Sequence, residues 1–160
     1  MMNKYDDAHM EVAKTYAKLS SARRMQVGCI LVKDQKIISI GYNGMPSGWT
    51  NDCEEVVLTD NPLPSGVVSL GNDIKLKTKP EVLHAETNAI AKVARSTESA
   101  EGATCYTTCA PCLDCAKLIY QAGIERVVYG HRYKDDNGLD FLTKCGVEVL
   151  DYESETREDL

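Results

Sequence analysis

Two short stretches of the chain carry residue types that bind metals and move protons: His84-Ala85-Glu86, and Pro111-Cys112-Leu113-Asp114-Cys115. One imidazole and two thiolates form a typical zinc donor set, and three protein ligands leave a fourth coordination position open for water. Residues three apart on a helix lie on one face, so Cys112 and Cys115 can point at a common ion. Pro111 suits a position at or just before a helix start. Helix N-termini carry partial positive charge, which favours thiolate over thiol. Glu86 stands two residues after His84 and so points elsewhere on the helix, but it can reach a water in the fourth position. Zinc lowers the pKa of bound water to about 7. The chemistry on offer is therefore attack by an activated water, with Glu86 as the proton-transfer group.

Taken singly, these elements are weak. A Cys-x-x-Cys pair alone is more often structural zinc or redox chemistry, and a lone His is more often a hydrogen-bonded core residue. Together, in order and on predicted helix starts, they favour a catalytic site. Cys109 leaves two readings open: a fourth ligand that closes the site, or a buried or pocket-lining thiol. Cys29, Cys105 and Cys145 fall in or beside predicted elements and read as small core residues. Seven cysteines is an odd number, three of them crowd into 109 to 115, and no export signal opens the chain; this speaks for metal rather than disulfides.

The elements that must position these residues are legible in outline. An amphipathic helix is expected from Tyr5 to about Ala22, with Met10, Ala13 and Ala17, and Val12 or Leu19, on its buried side. The β-branched segments 27 to 33 and 36 to 42, separated by Asp34-Gln35, read as a hairpin. From about 45 to 83 prolines, glycines and weak periodicity predict a loop excursion rather than a second domain. Beyond it the chain alternates: helix Leu83 to Ser96, strand 103 to 108, helix Cys112 to Gly123, strand 126 to 130, helix 137 to 145, strand 147 to 150. This rhythm predicts an α/β fold, a three-layer α/β/α sandwich around a mixed, largely parallel five-stranded sheet, forming one domain over 1 to 150. Residues 151 to 160 hold five acids and one Arg and read as a solvated acidic tail.

A length of 160 residues suits one domain, and a net charge of −6 opposes binding to long nucleic acids, whose phosphates need Lys and Arg. No apolar run approaches the roughly 20 residues of a membrane span. Small molecules are the expected partners, with no polynucleotide and no membrane, and a cytoplasmic location is the expectation.

A His-x-Glu followed downstream by Pro-Cys-x-x-Cys is the signature of zinc-dependent nucleobase deaminases. At these residues the sequence resembles the cytidine and deoxycytidylate deaminase superfamily, and within it the dCMP deaminases. The resemblance rests on Gln26-Val27-Gly28, Gly41-Tyr42-Asn43-Gly44-Met45-Pro46-Ser47-Gly48, His84-Ala85-Glu86-Thr87-Asn88-Ala89-Ile90, Glu101-Gly102-Ala103-Thr104 and Pro111 to Gly123, and it runs over most of the chain. It implies a cytidine deaminase-like fold and deamination of dCMP to dUMP for thymidylate synthesis. It also implies a homohexamer activated by dCTP and inhibited by dTTP with Mg2+. Carried over by motif, His84, Cys112 and Cys115 bind the zinc ion and Glu86 shuttles protons to N3 of cytosine and to the departing amine. Asn43 contacts the sugar, Ala85 joins the substrate-binding set, and Asn43, Gly44, Met45 and Pro46 belong to the effector site. Some phage relatives carry a second, structural zinc on an insertion with extra Cys and His; Leu58 to Leu83 has neither. One zinc per chain is the expectation.

A monophosphate needs a cation near its 5′ end, and Arg23 and Arg24, with Ser21, are the candidates. The competing reading makes both arginines solvated helix-end residues that favour the helix dipole. Arg132 and Tyr133 match a segment that borders the pocket in relatives, and Tyr133 either contacts the ligand or simply packs. Two rival functions stand: a deaminase of another compound such as dCTP, cytidine, guanine or transfer-RNA adenosine, and a non-catalytic zinc- or nucleotide-sensing protein. Glu86 argues against the second, because a structural site has no need of a carboxylate beside an open metal position.

Overall fold

The computed structural model describes residues 1–58 and 74–158. The amphipathic start forms helix α1 (Asp6–Ala17), shorter than the expected run to Ala22. Past Ala17 the chain turns on local bonds: the Ser20 hydroxyl accepts from the Ala22 amide and the Ser20 carbonyl accepts from the Gln26 side chain. Leu19 consequently faces solvent, while Met10, Ala13 and Ala17 are buried. Strands β1 (Gly28–Lys33) and β2 (Lys36–Tyr42) form the expected antiparallel hairpin. Asp34 and Gln35 between them both take positive φ, 50° and 62°, as a two-residue hairpin turn of the primed type requires.

The excursion is not structureless. It contains a separate antiparallel ribbon of β3 (Glu54–Leu58) and β4 (Ile74–Thr78), with Glu54 opposite Thr78. Ile74-Lys75-Leu76-Lys77 alternates apolar and polar residues, a strand signal that the surrounding prolines mask. The middle of the excursion, with Pro62 and Pro64, lies outside the described residues.

The alternating half follows as α2 (Ala85–Ala94), β5 (Thr104–Cys109), α3 (Leu113–Gln121), β6 (Arg126–His131), α4 (Asn137–Lys144) and β7 (Glu148–Asp151). The five strands form one mixed sheet in the order β2-β1-β5-β6-β7. The β5/β6 and β6/β7 pairs are parallel; β1 pairs antiparallel with both β2 and β5. Where a tail was expected, Tyr152–Glu158 forms a further short helix, α5. It is tied down by the Met2 amide donating to Glu155 and by an ion pair of 2.7 Å between His131 and Glu153.

Alternate residues of each strand feed two cores. Cys29, Leu31, Cys105 and Val127 pack against Ala89 and Val93 of α2, Ala116 and Ile119 of α3, and Leu142 of α4. Ile30, Val32, Tyr106, Val128 and Leu150 pack on the other face against Met10 and Ala13 of α1. The first residue of α1 carries a buried charge that hydropathy alone does not reveal. Asp6 is fully buried and accepts two bonds of 2.8 Å from Arg126 and one of 2.7 Å from the Tyr106 hydroxyl. Among the described residues no helix is long and apolar enough to cross a membrane.

Candidate active site

Two helix starts converge at one end of the sheet. His84 is the N-cap of α2 and Cys112 the N-cap of α3; both are extended, with ψ of 153° and 167°. Each therefore sits just ahead of its helix, with its neighbours Glu86 and Cys115 in the first turn. Two close packings set these positions. Gly41 of β2 abuts the backbone of Ala85, where a Cβ would strike the Ala85 carbonyl. Gly138 of α4 abuts Pro111 and Cys112 in the same way. Just before His84, Leu83 exchanges two backbone bonds with Gly44, of 2.8 and 3.1 Å, which pins the His84 segment to the loop after β2.

The three predicted donors come together. The His84 Nδ1 lies 3.3 Å from Cys115 Sγ and 3.6 Å from Cys112 Sγ, and all three ligand atoms fall within 4.8 Å of one another. Cys115 is buried, Cys112 half-buried and His84 exposed at the rim. Hydrogen bonds from Cys115 and His84 bring the Cys112 thiol down to about 4 in spite of its burial. Its partner Cys115 moves the opposite way, chiefly because it gives its proton toward Cys112. The bond to Cys112 also raises the pKa of His84. A thiolate, a second sulfur and an imidazole nitrogen converging at this range are a fitting donor set for a zinc ion. Cys109 is not among these donors; it lies buried at the end of β5, where burial pushes its thiol up to about 11.

Glu86 is 4% exposed at the floor of the site. Burial raises the pKa of its carboxyl, opposed by its own backbone amide, by His84 and by a hydrogen bond from Thr107. A buried carboxyl with a raised pKa beside a cluster of metal donors is suited to taking up and giving back a proton.

These groups open into a cavity of about 160 Å3 lined by His84, Ala85, Glu86, Cys112, Asn43, Tyr133 and Arg24, with Val27, Cys109, Ala110 and Glu54. The structure thus separates the other expected residues. Asn43, Ala85, Tyr133 and Arg24 line the cavity. The Asn43 side chain also bridges the ends of two strands, accepting from the Val27 amide at 2.8 Å and donating to the Met25 carbonyl at 2.9 Å. Arg23 is turned instead to Asp52 (3.1 Å) and Glu54 (3.4 Å). Arg132 is paired with Asp136 (3.1 Å) and Asp151 (3.8 Å), on the rim of a different hollow. Ser21 lies with Gly44, Met45, Pro46, Lys92 and Arg95 around a second hollow of about 690 Å3 beside the loop after β2. Met45 also packs on a small core of Ala22, Cys53 and Val82.

Thr107 and Glu54 are among the residues of the site that escape sequence reasoning. Thr107 has no motif of its own, although its place two residues before Cys109 on a strand points it to the same face. Glu54 falls within the proline-rich excursion, where nothing local indicates that its carboxylate is buried.

Residues 3–131 match the family model described as the cytidine and deoxycytidylate deaminase zinc-binding region. The chain is similar to the deoxycytidylate deaminase of Enterobacteria phage T4, 35% identical over 88% of this chain and 86% of that one. It is equally similar to the human deoxycytidylate deaminase, 35% identical over 91% of this chain and 84% of that one. Among solved structures, the dCMP deaminase of cyanophage S-TIM5 in complex with dCMP and dUMP superposes with a TM-score of 0.77 at 39% identity, covering 94% of this chain and 98% of that one.

Proposed function

This chain belongs to the cytidine and deoxycytidylate deaminase family, and from that premise we propose that it hydrolyses dCMP to dUMP and ammonia. The observation that carries the reading is one cavity in which Glu86, buried beside His84, Cys112 and Cys115, shares the lining with an arginine, Arg24. The similarity to deoxycytidylate deaminases, including one solved with dCMP and dUMP, supports the choice of substrate.

His84, Cys112 and Cys115 would hold one zinc per chain, and zinc bound there would supply the Lewis acidity that makes a water nucleophilic near neutral pH. Glu86 does the proton work. Its carboxylate takes a proton from the water as the oxygen adds to C4 of the cytosine, and delivers it to N3. The same carboxylate then takes the remaining proton from the new C4 hydroxyl and delivers it to the 4-amino nitrogen, so that the C4–N bond breaks, ammonia leaves and the C4 carbonyl of uracil remains. Burial equips Glu86 for both halves, because a carboxyl that costs little to protonate can act as base and then as acid. Ala85 and Tyr133 contribute the walls around the base. Asn43, held by Val27 and Met25, contacts the sugar, and Arg24 takes the 5′-phosphate.

The reading extends to regulation: activation by dCTP and inhibition by dTTP with Mg2+, in a homohexamer. Its supports are the family resemblance and the second hollow, where Asn43, Gly44, Met45 and Pro46 meet Lys92 and Arg95.

The test is release of ammonia from dCMP, dCTP, deoxycytidine and CMP by zinc-loaded protein, each with and without dCTP or dTTP as effector. Preferential turnover of dCMP is expected, with sigmoidal saturation that dCTP makes hyperbolic and dTTP suppresses. Preference for dCTP or an unphosphorylated nucleoside overturns the substrate assignment, and turnover of none overturns the enzyme.

A further inference from the structure

The two arginines before β1 differ in surroundings, and the difference traces to one buried carboxylate. Glu54 opens β3 and is 2% exposed. Its Oε1 accepts the backbone amides of both Arg23 (2.9 Å) and Arg24 (3.1 Å), and its Oε2 accepts from the Arg23 Nε at 3.4 Å. Arg23 completes its pairing with Asp52, which also meets Lys79 at 3.4 Å. Arg24 carries no acidic partner among the described residues. Its Nη1 donates instead to the Thr78 hydroxyl at 3.0 Å, on β4 directly opposite Glu54. Two cations, Arg23 and Lys79, thus meet two anions, Asp52 and Glu54, and the remaining positive charge stands on the arginine that lines the cavity.

We infer that Glu54 and Thr78 are positioning residues that hold Arg24 at the cavity, so that the β3–β4 ribbon sets the preference for a phosphorylated substrate. This deepens the proposed function and rests on Arg24 as the phosphate contact. A carboxylate lining a cavity that receives phosphate would by itself repel it. Here its charge is met by Arg23 and its oxygen by two amides, leaving it a clamp on the backbone. Through that clamp the amides of 23 and 24 are fixed, and through Thr78 the far end of the Arg24 side chain is fixed as well. An arginine held at both ends loses less rotamer freedom when it meets phosphate, which improves affinity for the phosphorylated ligand without a new contact.

The experiment compares kcat/KM for dCMP and deoxycytidine in the zinc-loaded wild type, Glu54→Ala, Glu54→Gln, Thr78→Val, Arg24→Ala and the double variant Glu54→Ala/Arg24→Ala. Arg24→Ala and Glu54→Ala are each expected to lower the ratio of dCMP to deoxycytidine by about tenfold to a hundredfold, the range a charge-assisted hydrogen bond carries. The loss should fall on KM rather than kcat. Thr78→Val should lower the ratio several-fold, and Glu54→Gln, which keeps an acceptor for the two amides, should recover most of it. In the double variant Glu54→Ala should cost nothing beyond Arg24→Ala, since it acts through that residue. A ratio that falls in Arg24→Ala but is unchanged in Glu54→Ala and Thr78→Val, or additive losses in the double variant, overturns the positioning role alone. A ratio unmoved by Arg24→Ala overturns the phosphate assignment and this inference with it. Should Glu54→Ala fail to fold, Thr78→Val and Glu54→Gln decide the matter by the same ratio.

Discussion

The hydroxyl of Thr107 lies 3.2 Å from a carboxylate oxygen of Glu86 and 2.9 Å from the carbonyl of Cys109. A hydroxyl has one proton to give. When it goes to the carbonyl, the Thr107 oxygen is left to accept from a protonated Glu86; when it goes to the carboxylate, it supports the ionised form. Thr107 thus has a hydrogen-bonding role in either state of the group to which we assign proton transfer. Glu86→Gln is expected to retain zinc while losing turnover by about a hundredfold to ten-thousandfold or more. Thr107→Val should cost about tenfold in kcat with metal content unchanged. Ammonia release and metal analysis on the same preparations check both, and normal turnover by Glu86→Gln would remove Glu86 from the mechanism.

The donor cluster ties metal to folding as well as to activity. Hydrogen bonding brings the Cys112 thiol down to about 4 and raises that of its partner Cys115, and on the proposed function both sulfurs would become ligands when an ion binds. Chelation should therefore abolish turnover and lower the melting temperature, and added zinc should restore both. Cys115→Ser should bind zinc poorly and melt at the temperature of the chelated wild type. A chelated protein that melts as before would show that the three residues do not share an ion.

Asp6 carries a pH dependence of stability. Burial alone would raise its pKa, but bonds from Arg126, from the Asn3 amide and from Tyr106 outweigh it and bring it down to about 2. A folded pKa below the unfolded value of about 3.9 stabilises the fold above that value, and the contribution is lost as pH falls through about 2. Asp6→Asn is expected to cost about 2–3 kcal/mol at pH 7, because it removes the charge that Arg126 meets at 2.8 Å and leaves that half-buried guanidinium with only Glu148, at 3.3 Å, as an acidic partner among the described residues. Denaturant titrations should show the gap between wild type and variant narrowing from pH 5 to pH 2. A gap independent of pH across that window would contradict the assignment.

The β1–β2 turn is a site for gain. Gln35 adopts a φ of 62°, a region costly for any residue with a Cβ, while its side chain makes a 3.4 Å contact to His9 at the surface. Gln35→Gly relieves that cost and should stabilise the protein by about 1 kcal/mol or less, after the entropy of the added glycine. A rise in melting temperature of roughly 2–4 °C is the measurable consequence. No rise would mean that His9 and the flanking strands already offset the strain.

What the amino-acid order determines by itself here is local. His84 and Glu86, or Cys112 and Cys115, are placed relative to one another by two or three residues of backbone at a helix start, so residue type and spacing are enough to indicate metal chemistry. The β1–β2 hairpin and the alternating half are legible for the same reason, since each depends on a periodicity within a dozen residues. Tertiary structure decides what depends on partners far apart in the chain. Nothing in the residues around Asp6 marks it as buried, because its partner Arg126 lies 120 residues away. Arg23 and Arg24 are adjacent and chemically identical. Only the packing of Glu54, Asp52 and Thr78 from the excursion sends one into ion pairs and leaves the other at the cavity. Charge neutralisation and burial are properties of neighbours in space, and no spacing along the chain encodes which arginine will line the cavity.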